Sequence, residues 1–338
     1  MTAPPGAHTR PPRNQSRLAV RAAVVVALSI FLVAPSAAAS STPTGDITDK
    51  HIGKLWIVDY QLHVPPTWTA DQKMPLVVAI HGCGMTGYGT NSMKDMTQLN
   101  TLADKEGFLV LYPNQSRLNN NFGCWNWDSP VNKYRDAGGE TTAIAGATQA
   151  VMQKYGVDPQ RVHVLGGSSG AAAAVNLGVT YPDVFATVTS FAGGPYVRLP
   201  KNEVLRDPEL SAPSVVKAMG PYARPVPLLI VQGDQDTVVP PSYAGLLARQ
   251  WLAASDLVDN SSEQYVSTTS PGPRGTMYPS ERTTWTLNDS DRTLVELVMV
   301  NGQAHTWSTP GGTGRYVDPA GPDMTAIFWE FAGERRRD

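Results

Sequence analysis

The sequence has few of the residues and motifs that several common protein classes need. Among 338 residues there are two cysteines, which allow at most one internal disulfide, and there is neither a cysteine cluster nor an H-E-x-x-H motif. The formal net charge of −2 gives no reason to expect nucleic acid or an anionic membrane as a partner. No G-x-G-x-x-G or Walker loop occurs in the context that nucleotide binding requires. We therefore expect no cofactor and no metal.

The overall composition is that of a globular protein. Hydrophobic residues make up 41% and charged residues 17%, and the length is sufficient to bury a large core. No internal repeat and no second domain are apparent in the printed sequence.

Residues 1–39 have the pattern of a secretory signal peptide. Four arginines precede the apolar run Ala22–Ala34, whose 13 residues are too few to span a bilayer comfortably. An A-x-A type cleavage site follows at Ala37–Ala39. We predict cleavage after Ala39, a flexible lead-in over 40–48, and one folded domain over 49–338. An uncleaved membrane anchor is the alternative. A lipoprotein is not expected, because there is no lipobox cysteine.

A strand, a sharp turn and a helix are predicted around Ser168. The strand Arg161–Leu165 is short and β-branched, and the alanine-rich segment Ala171–Tyr181 has the composition of a helix. The turn between them carries G-x-S-x-G at 166–170, the motif of the nucleophile elbow of α/β-hydrolases. Ser168 is therefore the predicted nucleophile. Ser169, in a G-x-S-x-A frame, is the alternative.

Uninterrupted apolar runs predict the sheet. Leu76–Ile80, Phe108–Tyr112 and Pro227–Val231 are typical of strands that are buried on both faces of a parallel sheet. Helical patterns alternate with them along the chain. We therefore predict an α/β fold of the α/β-hydrolase type, with a mostly parallel, doubly wound sheet and helices on both faces.

The ends of predicted strands also supply an acid and a base. Asp236 lies in a G-x-x-D turn directly after the strand Pro227–Val231, and Asp234 competes with it for the role of acid. His305 follows a predicted strand over 293–300 and is the one histidine that completes the order serine, acid, histidine. We expect His305 to deprotonate the serine, an acyl-enzyme to form, and water to resolve it.

Two backbone N–H groups are the expected oxyanion donors. Ser169 begins the helix after the elbow, and Cys83 follows the strand Leu76–Ile80, which we expect beside the elbow. One such donor stabilises the transition state by about 3 kcal/mol.

Two segments lack a regular pattern. The polar loop over 114–139 contains Trp125 and Trp127, and loops of this length are usually functional. The two tryptophans therefore suggest a binding surface, although packing of the loop alone is an open alternative. The irregular segment over 197–224 is a candidate cap above the site.

Several segments together resemble the poly(3-hydroxybutyrate) depolymerase type esterases, which are related to feruloyl and acetylxylan esterases. The resemblance covers about residues 50–335, and its most specific parts are C-W-N-W at 124–127 and H-x-W-S at 305–308. The remaining segments are His81-Gly82-Cys83, Leu111-Tyr112-Pro113, the 166–170 elbow, Tyr181-Pro182-Asp183-Val184-Phe185, Gly233 to Asp236, and Asp318 to Asp323.

The resemblance implies a secreted serine esterase whose catalytic residues are Ser168, Asp236 and His305. It also implies a disulfide between Cys83 and Cys124, and aromatic residues at the acyl site. Trp307 is foremost among these, and Trp125 and Trp127 could border the same cleft. Two elbow residues depart from the family, Gly167 in place of a bulkier residue and Ser169 in place of alanine.

The expected substrate is a polyhydroxyalkanoate polymer or oligomer, or a short-chain ester. The printed sequence shows no linker or polymer-binding domain, so we expect slow attack on crystalline polymer. A feruloyl or acetylxylan esterase of plant cell wall is the alternative within the same class. An inactive binding protein or a peptidase on this fold are further alternatives. We expect an extracellular monomer that binds no nucleic acid and, once cleaved, no membrane.

Overall fold

A computed structural model of the protein describes residues 44–196, 206–259, 265–288 and 292–337. The predicted signal peptide and residues 40–43 of the lead-in lie outside these ranges. None of the helices in the described ranges combines the length and the apolar character that crossing a membrane requires.

One ten-stranded sheet forms the centre of the fold. The strands are β1 Gly45–Ile52, β2 Ile57–Val64, β3 Leu76–Ile80, β4 Leu109–Asn114, β5 Val162–Gly167, β6 Thr187–Phe191, β7 Leu228–Gly233, β8 Tyr265–Pro271, β9 Ser280–Leu287 and β10 Thr293–Val300. They follow in space the order β1-β2-β4-β3-β5-β6-β7-β10-β9-β8. In this order the neighbouring pairs from β4 through β10 are parallel, and the pairs on both outer sides are antiparallel.

Helices cover both faces of this sheet and enclose two hydrophobic cores. The helices are α1 Met93–Thr97, α2 Leu99–Glu106, α3 Glu140–Tyr155, α4 Ser169–Thr180, α5 Ala212–Met219, α6 Ser242–Asp259 and α7 Met324–Ala332. One core contains buried side chains of α3, α4, α5 and α6, and the other contains those of α1, α2 and α7. The central strands are buried on both faces, which explains their uninterrupted apolar sequences.

Residues 45–48 of the predicted flexible lead-in belong instead to strand β1. This strand pairs with β2 from Gly45 opposite Val64 to Ile52 opposite Ile57. Its residues are mostly polar, and the Asp46 carboxylate accepts hydrogen bonds from His63, Lys94 and Asn100. Polar contacts of this kind leave no apolar pattern in the sequence, so the strand could not be recognised from hydrophobicity.

The candidate cap also differs from the expectation. Residues 197–205 lie outside the described ranges, and the rest of the segment includes helix α5. The segment is fixed to α6 by an ion pair between Glu209 and Arg249 and by a hydrogen bond from Gln250 to Ser211. No residue between 206 and 224 lines the two cavities beside Ser168 that are described below.

Four sequence segments meet at the carboxyl ends of the parallel strands. Strands β3, β5, β7 and β10 lead respectively to His81, Ser168, Asp236 and His305. In open α/β sheets this edge is where ligands bind. The topology therefore places the predicted nucleophile, acid and base at one edge of the sheet, together with the segment His81–Cys83, called here the predicted oxyanion loop.

Candidate active site

Ser168 lies on a strained turn between β5 and α4. Its backbone has φ 56° and ψ −121°, a conformation that residues other than glycine rarely adopt. The Ser168 N–H donates to the Phe191 carbonyl over 2.9 Å and so fixes the turn against β6. A Cβ at Gly170 would collide with the carbonyl oxygens of Ile80 and His81, and one at Gly166 with the carbonyl of Gly170. The two glycines thus allow the close packing that the turn requires.

His305 is partly exposed and pairs with the buried Asp236. The distance from His305 Nδ1 to Asp236 Oδ2 is 2.7 Å, and the Asp236 side chain has no exposed surface. Asp236 Oδ1 accepts the N–H groups of Val238 and Val239, and Gln232 donates to Oδ2. These bonds hold the carboxylate in one orientation. Because Nδ1 faces Asp236, Nε2 is the ring nitrogen available for proton exchange.

The alternatives from the sequence occupy other positions. Asp234 does not contact His305, because its Oδ1 accepts the Gly302 N–H over 2.7 Å and joins two loops behind the site. Ser169 is buried, and its Oγ accepts the Trp125 N–H over 3.4 Å. The geometry therefore favours Asp236 over Asp234 as the acid, and Ser168 over Ser169 as the nucleophile.

His81 fixes the peptide that carries the Cys83 N–H, the second predicted oxyanion donor. Its Nδ1 donates to the Gly82 carbonyl over 2.8 Å, and its Nε2 accepts the Gln115 N–H over 3.0 Å. Burial lowers the pKa of His81 to about 4, so the ring is neutral at ordinary pH. The C=O and N–H of a planar peptide point in opposite directions. Fixing the Gly82 carbonyl therefore fixes the direction of the Cys83 N–H.

The predicted oxyanion donors, the N–H groups of Cys83 and Ser169, lie in neighbouring segments of the structure. A Cβ added to Gly82 would lie 3.2 Å from the Ser168 Cβ, which shows how closely this loop approaches the elbow. Ser169 is the first residue of α4, where N–H groups lack a partner within the helix. Both predicted donors thus belong to segments that lie against the elbow, which is the arrangement expected of an oxyanion hole.

The structure contains a disulfide between Cys83 and Cys124. It joins the predicted oxyanion loop after β3 to the long loop between β4 and α3. Trp125, the next residue, adds a second connection, because its Nε1 donates to the His81 carbonyl over 3.0 Å. The two loops are therefore held together by a covalent bond and by a buried hydrogen bond.

Replacing both cysteines with serine should lower both stability and activity. The bond closes a segment of 41 residues, so the free energy of unfolding should fall by up to about 4 kcal/mol. Turnover should fall at least about tenfold, because the Cys83 N–H loses part of its fixed position. Thermal melting and kcat on a soluble ester, with reduced wild type as the control, measure the two effects. A lower Tm with unchanged kcat would limit the disulfide to stability.

Glu140 is a buried carboxylate that organises the long loop, and no pattern in the sequence indicates this role. Glu140 begins α3 and accepts hydrogen bonds from Gln115 Nε2, the Asn126 backbone and Asn126 Nδ2, at 2.6, 2.7 and 2.5 Å. Asn126 is the central asparagine of the C-W-N-W motif. A glutamate in a first helical turn is common, since it interacts favourably with the helix dipole. Nothing in the pattern therefore separates it from an ordinary surface residue.

Two cavities open on either side of Ser168. The Trp127 cavity has a volume of about 240 Å³ and the Trp307 cavity one of about 180 Å³. Both include Cys83, Ser168 and Val238. The Trp127 cavity is also lined by Ser169, Ala172, Ala192, Gly193, Gly194, Pro195, Val239, Pro240 and Tyr243, and the Trp307 cavity by Gly82, Met85, Met96, Gly167, Phe191, His305 and Tyr316.

The three predicted substrate-binding tryptophans are in different environments. Trp127 and Trp307 each line one cavity, and the Trp307 ring packs edge-on against Phe191 at a centroid distance of 5.1 Å. Trp125 lines neither cavity, and the expectation for this residue needs correction. Trp125 and Trp307 are each only 2% exposed, but Trp307 lines a cavity, whereas the Trp125 indole is turned inward to the His81 carbonyl. The role of Trp125 in the structure is to support the predicted oxyanion loop.

The family of the chain is decided by a match over residues 58–270, well over half of its length, to the model of the esterases described as PHB depolymerases. The chain belongs to the PHB depolymerase esterase family. The resemblance inferred from the short motifs is thereby confirmed.

The chain is similar to proteins that are named for different ester substrates. The chain is 37% identical to poly(3-hydroxyalkanoate) depolymerase C of Paucimonas lemoignei over 40% of this chain and 31% of that protein. It is 34% identical to feruloyl esterase B of Neurospora crassa over 36% of this chain and 39% of that protein. The matched segments thus span about a third of the length of these relatives.

A solved structure supports the fold assignment. The acetyl xylan esterase of Aspergillus awamori superimposes with a TM-score of 0.61 at 25% identity, covering 78% of this chain and 94% of that one. The predicted α/β-hydrolase type of fold is confirmed, and the structure shows it as a mixed sheet with helices on both faces.

Proposed function

We propose that this member of the PHB depolymerase esterase family is a serine esterase. Ser168 is the nucleophile, His305 the general base, Asp236 the acid that orients it, and the N–H groups of Cys83 and Ser169 the oxyanion hole. The observation that carries the proposal is the 2.7 Å contact between His305 Nδ1 and Asp236, at the wall of a cavity that also contains the strained Ser168.

The reaction follows from these positions. His305 Nε2 takes the Ser168 Oγ proton while Oγ bonds to the ester carbonyl carbon, and the oxygen that gains charge accepts the two N–H groups. His305 then returns the proton to the alkoxide as the ester bond breaks, leaving an acyl group on Ser168. A water molecule repeats the sequence, giving up its proton to His305 and releasing the acid and the free serine.

The proposed substrate is a polyhydroxyalkanoate chain, as polymer or as oligomers. Support comes from the named depolymerase relative and from the largely apolar lining of the cavities on both sides of Ser168. Apolar and aromatic walls suit a repeating aliphatic ester that offers no charge for recognition. Amorphous or oligomeric 3-hydroxybutyrate should be hydrolysed readily and crystalline polymer slowly.

An acetylxylan esterase is the second candidate, because the acetyl xylan esterase structure covers most of this chain. A panel of 3-hydroxybutyrate oligomers, acetylated xylan and methyl ferulate separates the possibilities. Rapid turnover of xylan acetate or ferulate beside negligible turnover of the oligomers would replace the polyester assignment with a cell-wall esterase.

Replacing Trp307 with alanine should impair oligomer hydrolysis more than hydrolysis of a minimal acetate ester. The oligomer extends along the aromatic wall, and the acetate does not, so kcat/KM for the oligomer should fall on the order of tenfold more. Trp307→Phe should recover part of the loss. Trp285→Ala, on β9 and in the lining of neither cavity, is the matched control. Equal losses on both esters would make Trp307 a structural residue.

We propose in addition that the protein acts outside the cell as a monomer. The disulfide supports an oxidising location, because such bonds persist in secreted proteins. The basic and apolar segments at 1–39 support export.

A further inference from the structure

Lys133 is a buried cation in the long loop between β4 and α3. Only 3% of its surface is exposed, and in the described ranges the hydrogen bond of its Nζ goes to the Asn176 amide and not to a carboxylate. Lysine is among the residues that are almost never buried without a partner, because removal of an ammonium from water is costly. The contacts that compensate for the burial of the Lys133 ammonium therefore indicate what the residue does.

Those contacts are an amide and two aromatic rings. Nζ donates to Asn176 Oδ1 over 2.9 Å and lies 4.6 Å from the centre of the Tyr196 ring and 5.4 Å from that of the Trp127 ring. Both distances are within the range of cation–π attraction, which strengthens when the cation is desolvated. The ammonium thus lies against the residue that gives the Trp127 cavity its aromatic wall.

Asn176 completes the connection to Trp127. It lies on α4, the helix that begins directly after Ser168, and its Nδ2 donates to the Trp127 carbonyl over 2.8 Å. The Asn176 amide therefore accepts from Lys133 and donates to Trp127. The ring of Trp127 is held by the lysine charge, and its backbone is held by the same helix that positions the nucleophile.

The other side of Lys133 is fixed as well. The Tyr196 hydroxyl donates to the Lys133 carbonyl over 2.6 Å, and Tyr196 directly follows Pro195, another residue of the Trp127 cavity. Lys133 thereby joins both walls of that cavity without facing the substrate itself.

We propose that Lys133 is a positioning residue that holds Trp127 as the wall of the Trp127 cavity and so determines which esters the site accepts. This inference rests on the proposed esterase function. It assigns Lys133 no direct role in bond breaking.

The charge of Lys133 should make this wall sensitive to pH. Burial lowers the pKa of Lys133 to about 7, and the nearby Asp128 carboxylate acts in the opposite direction. The groups that face it from α4 and from the segment after β6 are the uncharged Asn176 amide and the Tyr196 ring. Above this pKa the amine keeps a hydrogen bond but loses the cation–π attraction, so the wall should loosen as the pH rises.

The test is steady-state kinetics of Lys133→Met and Lys133→Arg with two ester series. One series lengthens the acyl half and the other the alcohol half, so that one of them fills the Trp127 cavity. For the long members of that series, Lys133→Met should raise KM about fivefold with kcat nearly unchanged, and Lys133→Arg should restore most of the affinity. Hydrolysis of the shortest ester should not change.

Lys154→Met is the matched control. Lys154 lies 5.6 Å from the Tyr155 ring and is half-exposed at the end of α3, outside the lining of both cavities. In wild type and in this control, KM for the long esters should rise between about pH 6 and about pH 8.5, and in Lys133→Met it should not. In a Trp127→Ala background, Lys133→Met should add no further loss.

Equal changes in KM and kcat for all esters would assign Lys133 a general structural role and overturn the proposal, as would unchanged kinetics in both series. If Lys133→Met does not fold, Asn176→Leu removes the same connection from the helix side and must show the same KM pattern. Wild-type activity on the shortest ester tests the esterase function separately. Failure there rejects that function, whereas failure of the KM pattern alone rejects only the role of Lys133.

Discussion

Replacing Ser168 with alanine is expected to lower kcat by up to about 10⁶-fold on any ester that the protein hydrolyses. The variant lacks the oxygen that bonds to the carbonyl carbon, and nothing else in the elbow can replace it. The neighbouring Ser169 is buried, and its Oγ accepts the N–H of Trp125 in the long loop between β4 and α3. The measurement is single-turnover and steady-state hydrolysis of a chromogenic acetate ester, with thermal melting to verify the fold.

Two further variants distinguish the nucleophile from its neighbour. The double variant Ser168→Ala with His305→Ala should be little worse than either single one, because the residues act as a unit. Ser169→Ala removes a hydroxyl but keeps the backbone N–H, so it should retain most of the activity. The assignment of the nucleophile is wrong if Ser168→Ala stays active while Ser169→Ala does not.

Replacing Asp236 with asparagine should cost on the order of 10⁴-fold in kcat. The amide matches the carboxylate in size but carries no charge to stabilise the protonated His305. Its NH₂ group also favours the wrong imidazole tautomer. Asp236 has no exposed side-chain surface and accepts from Val238, Val239 and Gln232, so Tm should fall too.

Asp234→Asn is the matched control for this prediction. Asp234 is two residues away on the same turn, but it bonds to the Gly302 N–H and not to His305. Its replacement should affect stability more than turnover. Full activity of Asp236→Asn together with loss in Asp234→Asn would transfer the role of acid to Asp234.

The central strands of the sheet and the elbow at Ser168 could be predicted from the sequence. Strands such as Leu76–Ile80 are buried on both faces, and this requirement alone imposes an unbroken apolar run. The turn at Ser168 likewise requires Gly166 and Gly170, because a Cβ at either would meet backbone atoms. Where a single physical constraint selects the residue type, the sequence pattern alone predicts the local structure.

Other parts depend on contacts between distant residues and leave no local signal. Strand β8 is almost entirely exposed and polar, so neither alternation nor hydrophobicity marks it. The role of Glu140 becomes visible only when Gln115 and Asn126 converge on it. The sequence places Trp125 in the long polar loop, but it does not indicate that the indole is buried against the His81 carbonyl. A tryptophan facing substrate and one facing the core have the same composition signal.

Val238 is one of the three residues common to both cavities, and its exposed side chain lies where they meet. The position of its backbone is fixed by the hydrogen bond from its N–H to Asp236. Ala172 and Met96, in contrast, each face one cavity. Related chains are therefore free to diverge at 172 or 96 by altering the fit of one half of an ester at a time. A change at 238 must satisfy both halves together, which restricts the paths by which a new substrate preference can evolve.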